Sequence, residues 1–172
     1  DSLESRIVAA NERIAAAGRA DPGLTGMGTT VSIARISADG VAEIGHVGDS
    51  RVYLLRDGSL RQLTLDHTLV AQWVADGRIT EQEAAVHPQR SIMMRAVGHG
   101  RPLEVDVIEE PLVVGDRLMI CSDGLSGMID DTTITNLLSR GTAEEAVWSL
   151  IEAANRAGGH DNITVVAVDV EP

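Results

Sequence analysis

Apolar residues recur at helical spacing in residues 2–17, where Leu3, Ile7, Val8 and Ile14 share one face. Gly18 and then Asp21-Pro22-Gly23 end that pattern. The period then shortens. Residues 29–37, 41–47, 51–56 and 60–65 are β-rich runs, broken at Ala38-Asp39-Gly40, Gly48-Asp49-Ser50 and Asp57-Gly58. Asp-Gly pairs between alternating apolar runs are hairpin signals, so this stretch predicts four antiparallel strands in series. Residues 66–92 change character. A helix is predicted over 68–75, with Leu69, Val70, Trp73 and Val74 apolar, and Thr80 with Glu83 caps a second, which Pro88 breaks. This segment interrupts two sets of strands and reads as an inserted flap. Strands return at 103–109, 117–121 and 163–170. Before the last come a helix over 131–139 and another from Thr142, boxed by Glu145, to about Arg156, with Val147, Leu150, Ile151 and Ala154 inward. Strands in series and helices in blocks predict α+β layers, not a βαβ fold.

Length and composition narrow this picture. The 172 residues suit one domain, and 44% hydrophobic with 23% charged residues is an ordinary globular balance. No apolar run reaches the ~20 residues of a membrane span. The opening Asp1-Ser2-Leu3-Glu4 lacks the basic-then-apolar order of a signal peptide. A lone cysteine, Cys121, leaves no internal disulfide and fits a reducing compartment, so a cytoplasmic location is expected. The net charge of −12 disfavours nucleic acid as a partner. All 14 basic residues are arginine, phenylalanine is absent, and the core must be built from Val, Ile, Leu, Ala and Met.

Three segments place a carboxylate at the end of an apolar run: Gly48-Asp49-Ser50-Arg51, Cys121-Ser122-Asp123-Gly124 and Gly159-His160-Asp161-Asn162. A glycine next to Asp49 and Asp123, and two residues before Asp161, lets the backbone turn sharply near each acid. Hard cations such as Mg²⁺ and Mn²⁺ take carboxylate oxygens and water, so three such acids would make a site if the strands converge. Each segment alone also reads as a plain turn. Ser122-Asp123-Gly124 reads equally as a strand exit and helix cap, and Asp161-Asn162 as a cap on the last strand. The five histidines lack zinc spacing.

The ordered set of segments resembles the PPM family of metal-dependent protein serine/threonine phosphatases, the type 2C enzymes, and most closely its compact bacterial members. The resemblance rests on Gly28-Thr29-Thr30, His46 to Arg51, Leu63-Thr64-Leu65-Asp66-His67-Thr68, Arg95-Ala96-Val97-Gly98, Cys121-Ser122-Asp123-Gly124-Leu125 and Gly159-His160-Asp161-Asn162-Ile163-Thr164. It covers essentially the whole chain. It implies a sandwich of two antiparallel β-sheets flanked by helices, with the flap inserted. It implies two Mn²⁺ or Mg²⁺ ions, and a third bound more weakly, that activate water against phosphoserine or phosphothreonine. By motif, Asp123 and Asp161 would bind the second metal of the pair, and Asp49 with Asp123 the third. Asn162 would support Asp161. Arg78, Arg90 and Arg95, in or beside the flap, would meet the phosphoprotein, including products of a bacterial serine/threonine kinase.

The family pattern also has elements that these residues do not supply. They are an N-terminal arginine that grips phosphate, an acidic residue paired with Asn, and an Asp-Gly-Met-Gly-Gly segment whose Asp bridges both catalytic metals. Gly26-Met27-Gly28 is not that segment, because Thr25 stands in the place of the Asp. The expectation is a domain lacking its N-terminal part, with uncovered strand edges that favour self-association. The competing reading is a catalytically incomplete phosphatase-like module that binds phosphoproteins and regulates.

Overall fold

The computed structural model describes residues 2–99 and 102–172; Asp1, Gly100 and Arg101 lie outside it. The chain forms two compact units, one from Asp1–Asp49 with Asp66–Glu110, the other from Ser50–Leu65 with Pro111–Pro172.

The first unit opens with α1 (Leu3–Ala20), capped by the Ser2 side chain, which accepts the Ser5 N–H. Its inward stripe is Leu3, Ile7, Asn11 and Ala15. The sequence pattern missed Asn11, a polar residue at a core position. Its Oδ1 accepts the Gly98 N–H at 2.7 Å, so the buried amide is satisfied. Helix α1 lies close on β2 (Val41–Val47), because Gly45 has no side chain; a Cβ there would stand 2.8 Å from Ile7 Cδ1. Strand β1 (Val31–Ile36) pairs antiparallel with β2, from Val31 opposite Val47 to Ile36 opposite Ala42. Strand β5 (Asp106–Pro111) completes a three-stranded sheet in the order β1-β2-β5. Ile7, Val47 and Val97 form the buried centre, with Ile14, Val31, Leu103 and Val105 packed around it.

Within this unit, residues 66–92 carry α2 (Leu69–Ala75) and α3 (Glu81–Ala85). Thr68 caps α2, and Thr80 with Glu83 forms the expected capping box on α3. The segment closes at its base. The Leu69 N–H donates to the Ile92 carbonyl at 2.9 Å, and the Met94 N–H to the His67 carbonyl at 2.8 Å.

The second unit holds a four-stranded sheet in the order β4-β3-β6-β7. Its strands are β3 (Arg51–Arg56), β4 (Ser59–Gln62), β6 (Arg117–Cys121) and β7 (Val165–Asp169), all antiparallel to their neighbours. Three helices accompany it: α4 (Asp123–Ser126), α5 (Asp131–Leu138) and α6 (Ala143–Arg156). The core joins Tyr53, Met119 and Cys121 of the strands to Leu125, Ile134, Leu138, Ala146, Leu150 and Ala154 of the helices. Arg117 ties the α5–α6 connection to the sheet. It pairs with Asp169 and donates to the carbonyls of Leu138 and Gly141 at 2.6 and 2.9 Å.

Element bounds shift, with α1 running through Gly18 to Ala20 and β5 covering Asp106–Pro111 instead of 103–109, and the strand run after α1 changes in two further ways. The run 29–65 is not one meander: β2 and β3 belong to different sheets, and β3 takes β6 as its second neighbour. Strand β4 ends at Gln62, not at Leu65, because the Thr64 hydroxyl takes over and accepts the Val52 N–H at 3.1 Å.

The turn before β6 is held by a buried acid. Asp116 is 2% exposed and accepts two hydrogen bonds from Arg56, at 2.8 and 2.6 Å, and one from the Val113 N–H at 2.8 Å. Hydrogen bonding to Arg56 holds its carboxyl below the usual range, against the upward push of burial. Arg117 does the same for Asp169. A lowered native pKa contributes stability that is complete above the ordinary carboxylate value and is lost as pH falls through the native one. Asp116→Asn is therefore expected to cost about 2 kcal/mol at neutral pH. It should also flatten the fall in the urea midpoint between about pH 5 and pH 2. Urea denaturation across that range checks both, and an unchanged slope refutes the assignment.

Candidate functional site

The acids singled out by sequence occur in both units. In the second unit, β6 delivers Cys121 to the sheet end, and Ser122 becomes the N-cap residue of α4 without bonding the helix through its side chain. That hydroxyl is used elsewhere. It accepts the Thr164 N–H at 3.0 Å and donates to the Asn162 carbonyl at 3.1 Å, while the Ser122 N–H donates to the Thr164 carbonyl at 3.0 Å. The 122–124 turn and the 161–164 turn are thus fastened by three hydrogen bonds. Gly124 permits the approach, because a Cβ on it would fall 2.2 Å from the Asn162 carbonyl oxygen.

The 161–164 turn is set by the end of α6. The Gly159 N–H donates back to the Ala154 carbonyl at 3.2 Å, and Gly159 has a φ of +55°, a left-handed ending that glycine adopts without strain. The chain then reverses into Asp161. The Asp161 Oδ1 accepts the Asn162 N–H at 2.7 Å. The carbonyl of Asn162 is in turn anchored to the Ser122 hydroxyl. Asp123 and Asp161 are both exposed, and the Asp123 carboxylate has no hydrogen-bond or ion-pair partner among the described residues. Sequence reasoning flagged both acids and missed Ser122, whose place before a helix reads as an ordinary cap.

In the first unit, Asp49 follows the end of β2 and is half-buried. The peptide before it is fixed by His67. The Gly48 N–H donates to His67 Nδ1 at 3.1 Å, and the His67 backbone N–H donates to the Gly48 carbonyl at 2.8 Å. Because Nδ1 accepts, the ring proton sits on Nε2, which faces Asp106 Oδ2 at 3.1 Å. Arg95 donates to the other oxygen of Asp106 at 2.8 Å and pairs with Glu104 at 3.0 Å. Its Nη1 also lies 3.3 Å from His67 Nε2. Burial pushes the Asp106 carboxyl up, but His67 and Arg95 together hold it below its usual range. The His67 motif was legible in sequence; its partner Asp106, 39 residues on, was not.

The three arginines differ in their surroundings. Arg95 is committed to Asp106 and Glu104. The Arg78 guanidinium lies over Trp73, 5.1 Å from the ring centroid. Arg90 is exposed.

Among the described residues, no three His, Cys, Asp or Glu side chains group as a metal cluster. The donors at the two fastened turns are exposed carboxylate oxygens. That donor set suits Mg²⁺ or Mn²⁺ with water in the remaining positions, and it does not suit soft metals.

Comparison with known proteins adds three likenesses. No family model matches the chain. The serine/threonine protein phosphatase PstP of Mycobacterium tuberculosis is 45% identical over 168 residues, covering 98% of this chain and 32% of that protein. A putative protein phosphatase 2C-type of Streptococcus pyogenes is 42% identical over 172 residues, covering 99% of this chain and 69% of that protein. The solved catalytic domain of a serine/threonine protein phosphatase PstP, in complex with two manganese ions, superposes with a TM-score of 0.86 at 41% identity. That match covers 94% of this chain and 67% of the other. The chain thus spans about a third of the mycobacterial relative and about two thirds of the streptococcal one.

Proposed function

The chain belongs to the PPM family of type 2C protein phosphatases, and on that premise we propose that the protein hydrolyses phosphoserine and phosphothreonine in other proteins, with Mn²⁺ or Mg²⁺ as cofactor. The observation that carries the reading is the fastening of the Asp123 turn to the Asp161 turn, within a likeness to phosphatases that runs along nearly the whole chain. Divalent cations held by these acids would neutralise phosphoryl charge and lower the pKa of water. Asp123 and Asp161 would hold one ion of the catalytic pair, and Asp49 would supply a ligand to a further ion. The Asn162 backbone keeps one Asp161 oxygen oriented. Residues 66–92 would act as a substrate-facing flap. Both flap arginines are exposed; Arg90 would meet a phosphoprotein directly, Arg78 through the surface it shares with Trp73, and Arg95 would stiffen the base. Substrates would include products of a bacterial serine/threonine kinase in the cytoplasm. Among the described residues, no helix is long and apolar enough to cross a membrane.

The test is phosphate release from a phosphothreonine peptide, with and without Mn²⁺. It is run on the chain alone and on the chain preceded by a segment carrying Asp-Gly-Met-Gly-Gly. Release that requires Mn²⁺ and falls to the no-enzyme level in chelator is the expected result for the extended form. Release that survives chelation, or none with Mn²⁺ in either form, rejects the proposal.

A further inference from the structure

We infer that His67 is a positioning residue for Asp49: its ring and backbone clamp the two peptides flanking Gly48, and Asp106 clamps the ring. The inference rests on the reading of Asp49 as a metal ligand. Strand β2 ends at Val47, so the strand itself no longer fixes the next peptide. Gly48 stands at φ +119°, a conformation open to glycine and strained for other residues. It also packs on Thr30, whose Cβ would lie 2.5 Å from an added Cβ. Such a residue needs an outside partner, and His67 is bonded to both of its backbone polar groups, the ring to the N–H and the backbone N–H to the carbonyl.

The ring is itself fixed. It is 8% exposed, it lies 4.8 Å from the His46 ring, and its second nitrogen faces Asp106 at the start of β5. Asp106 is in turn gripped by Arg95. The chain Arg95–Asp106–His67–Gly48 therefore ends one residue before Asp49. A histidine serving only to fill the core would need its ring nitrogens satisfied by any convenient groups. Here one ring nitrogen holds the 47–48 peptide while the backbone of the same residue holds the 48–49 peptide, so both sides of the turn into the acid are fixed. Outer partners that orient a ligand typically matter about 10- to 100-fold in metal affinity.

The two ring nitrogens can be separated by substitution. Asn at position 67 keeps an acceptor near the place of Nδ1, whereas Gln places its amide nearer Nε2. The experiment is a Mn²⁺ titration of the full chain, followed by electron paramagnetic resonance of the free ion. It compares wild type, Asp49→Asn, His67→Asn and His67→Gln, with Gly48 amide exchange as a second readout. Asp49→Asn and His67→Gln are each expected to weaken Mn²⁺ binding about 10- to 100-fold, whereas His67→Asn stays near wild type. Gly48 exchange should accelerate in His67→Gln and remain slow in His67→Asn.

If Asp49→Asn weakens binding and His67→Gln does not, the positioning role is wrong. Equal losses in both His67 variants also overturn it, because packing alone then explains them. If the wild type binds no Mn²⁺, or Asp49→Asn changes nothing, the reading of Asp49 itself fails and takes this inference with it.

Discussion

Asp123→Asn is expected to lower Mn²⁺-dependent phosphate release by about 10³-fold, from a Lewis-acid contribution of several kcal/mol, while leaving the fold intact. The two halves of that statement have separate causes. Asp123 is exposed, and its carboxylate has no partner among the described residues, so nothing in the native packing depends on its charge. Substitutions at such positions usually stay within about 0.5 kcal/mol in stability. The amide, however, replaces an anionic oxygen by a neutral one in a donor set that suits hard cations only through its charge. Asp161→Asn should behave alike, because the amide oxygen can still accept the Asn162 N–H that Asp161 takes now. Steady-state phosphate release, on the form carrying the Asp-Gly-Met-Gly-Gly segment, measures the loss. Urea denaturation of the same samples measures the stability. Activity within about tenfold of wild type, or less than about 1.4 kcal/mol of barrier, would remove Asp123 from the metal site.

What the sequence made legible, and what it hid, follows from the range of each interaction. Local signals read through directly. Thr80 with Glu83 and Thr142 with Glu145 are capping boxes in both the pattern and the structure, since all their partners lie within one helical turn. The Ala38-Asp39-Gly40 break is a true hairpin, with the Gly40 N–H on the Ser37 carbonyl at 3.0 Å. Gly48-Asp49-Ser50 gives the same local signal and joins two sheets instead. A turn sequence encodes a change of direction; it does not encode the partner of the next strand. That partner is β6, where Arg51 stands opposite Cys121. Asn11 was hidden for a related reason. A hydrophobic stripe skips a polar residue, and a partner that satisfies it, the Gly98 N–H, lies 87 residues away in sequence. At the candidate site, each acid alone looked like a turn residue, and it was the ordered set of segments along the chain that made the three visible. Ser122 and Asp106 were hidden, because serine before a helix and an acid at a strand start are commonplace until their partners are seen.

Gly124→Ala should damage both stability and activity, which separates it from Asp123→Asn next door. Gly124 is buried, and the added methyl would stand 2.2 Å from the Asn162 carbonyl oxygen and 2.9 Å from its carbon. Neither atom belongs to a side chain that can swing aside. The carbonyl is held by the Ser122 hydroxyl, and the same hydroxyl holds the Thr164 N–H, so displacing one strand end strains the other. The helix side has no more freedom, because Leu125 is fully buried among Ile134, Leu150 and their neighbours. Overpacking against backbone of this kind is expected to cost about 3 kcal/mol or more. The molecules that remain folded must open the gap between the 123 and 161 turns. A displacement on the order of 1 Å at a reacting centre costs about 10²-fold in rate. Mn²⁺ affinity should fall with it, since Asp161 moves with the turn that carries it. Urea denaturation and Mn²⁺ titration of Gly124→Ala test the two effects separately. A variant with wild-type stability and wild-type Mn²⁺ affinity would mean that the close approach of these turns is not what holds the acids together. Loss of both, beside an Asp123→Asn variant that keeps its stability, would assign to Gly124 the approach of the turns and to Asp123 the charge they present.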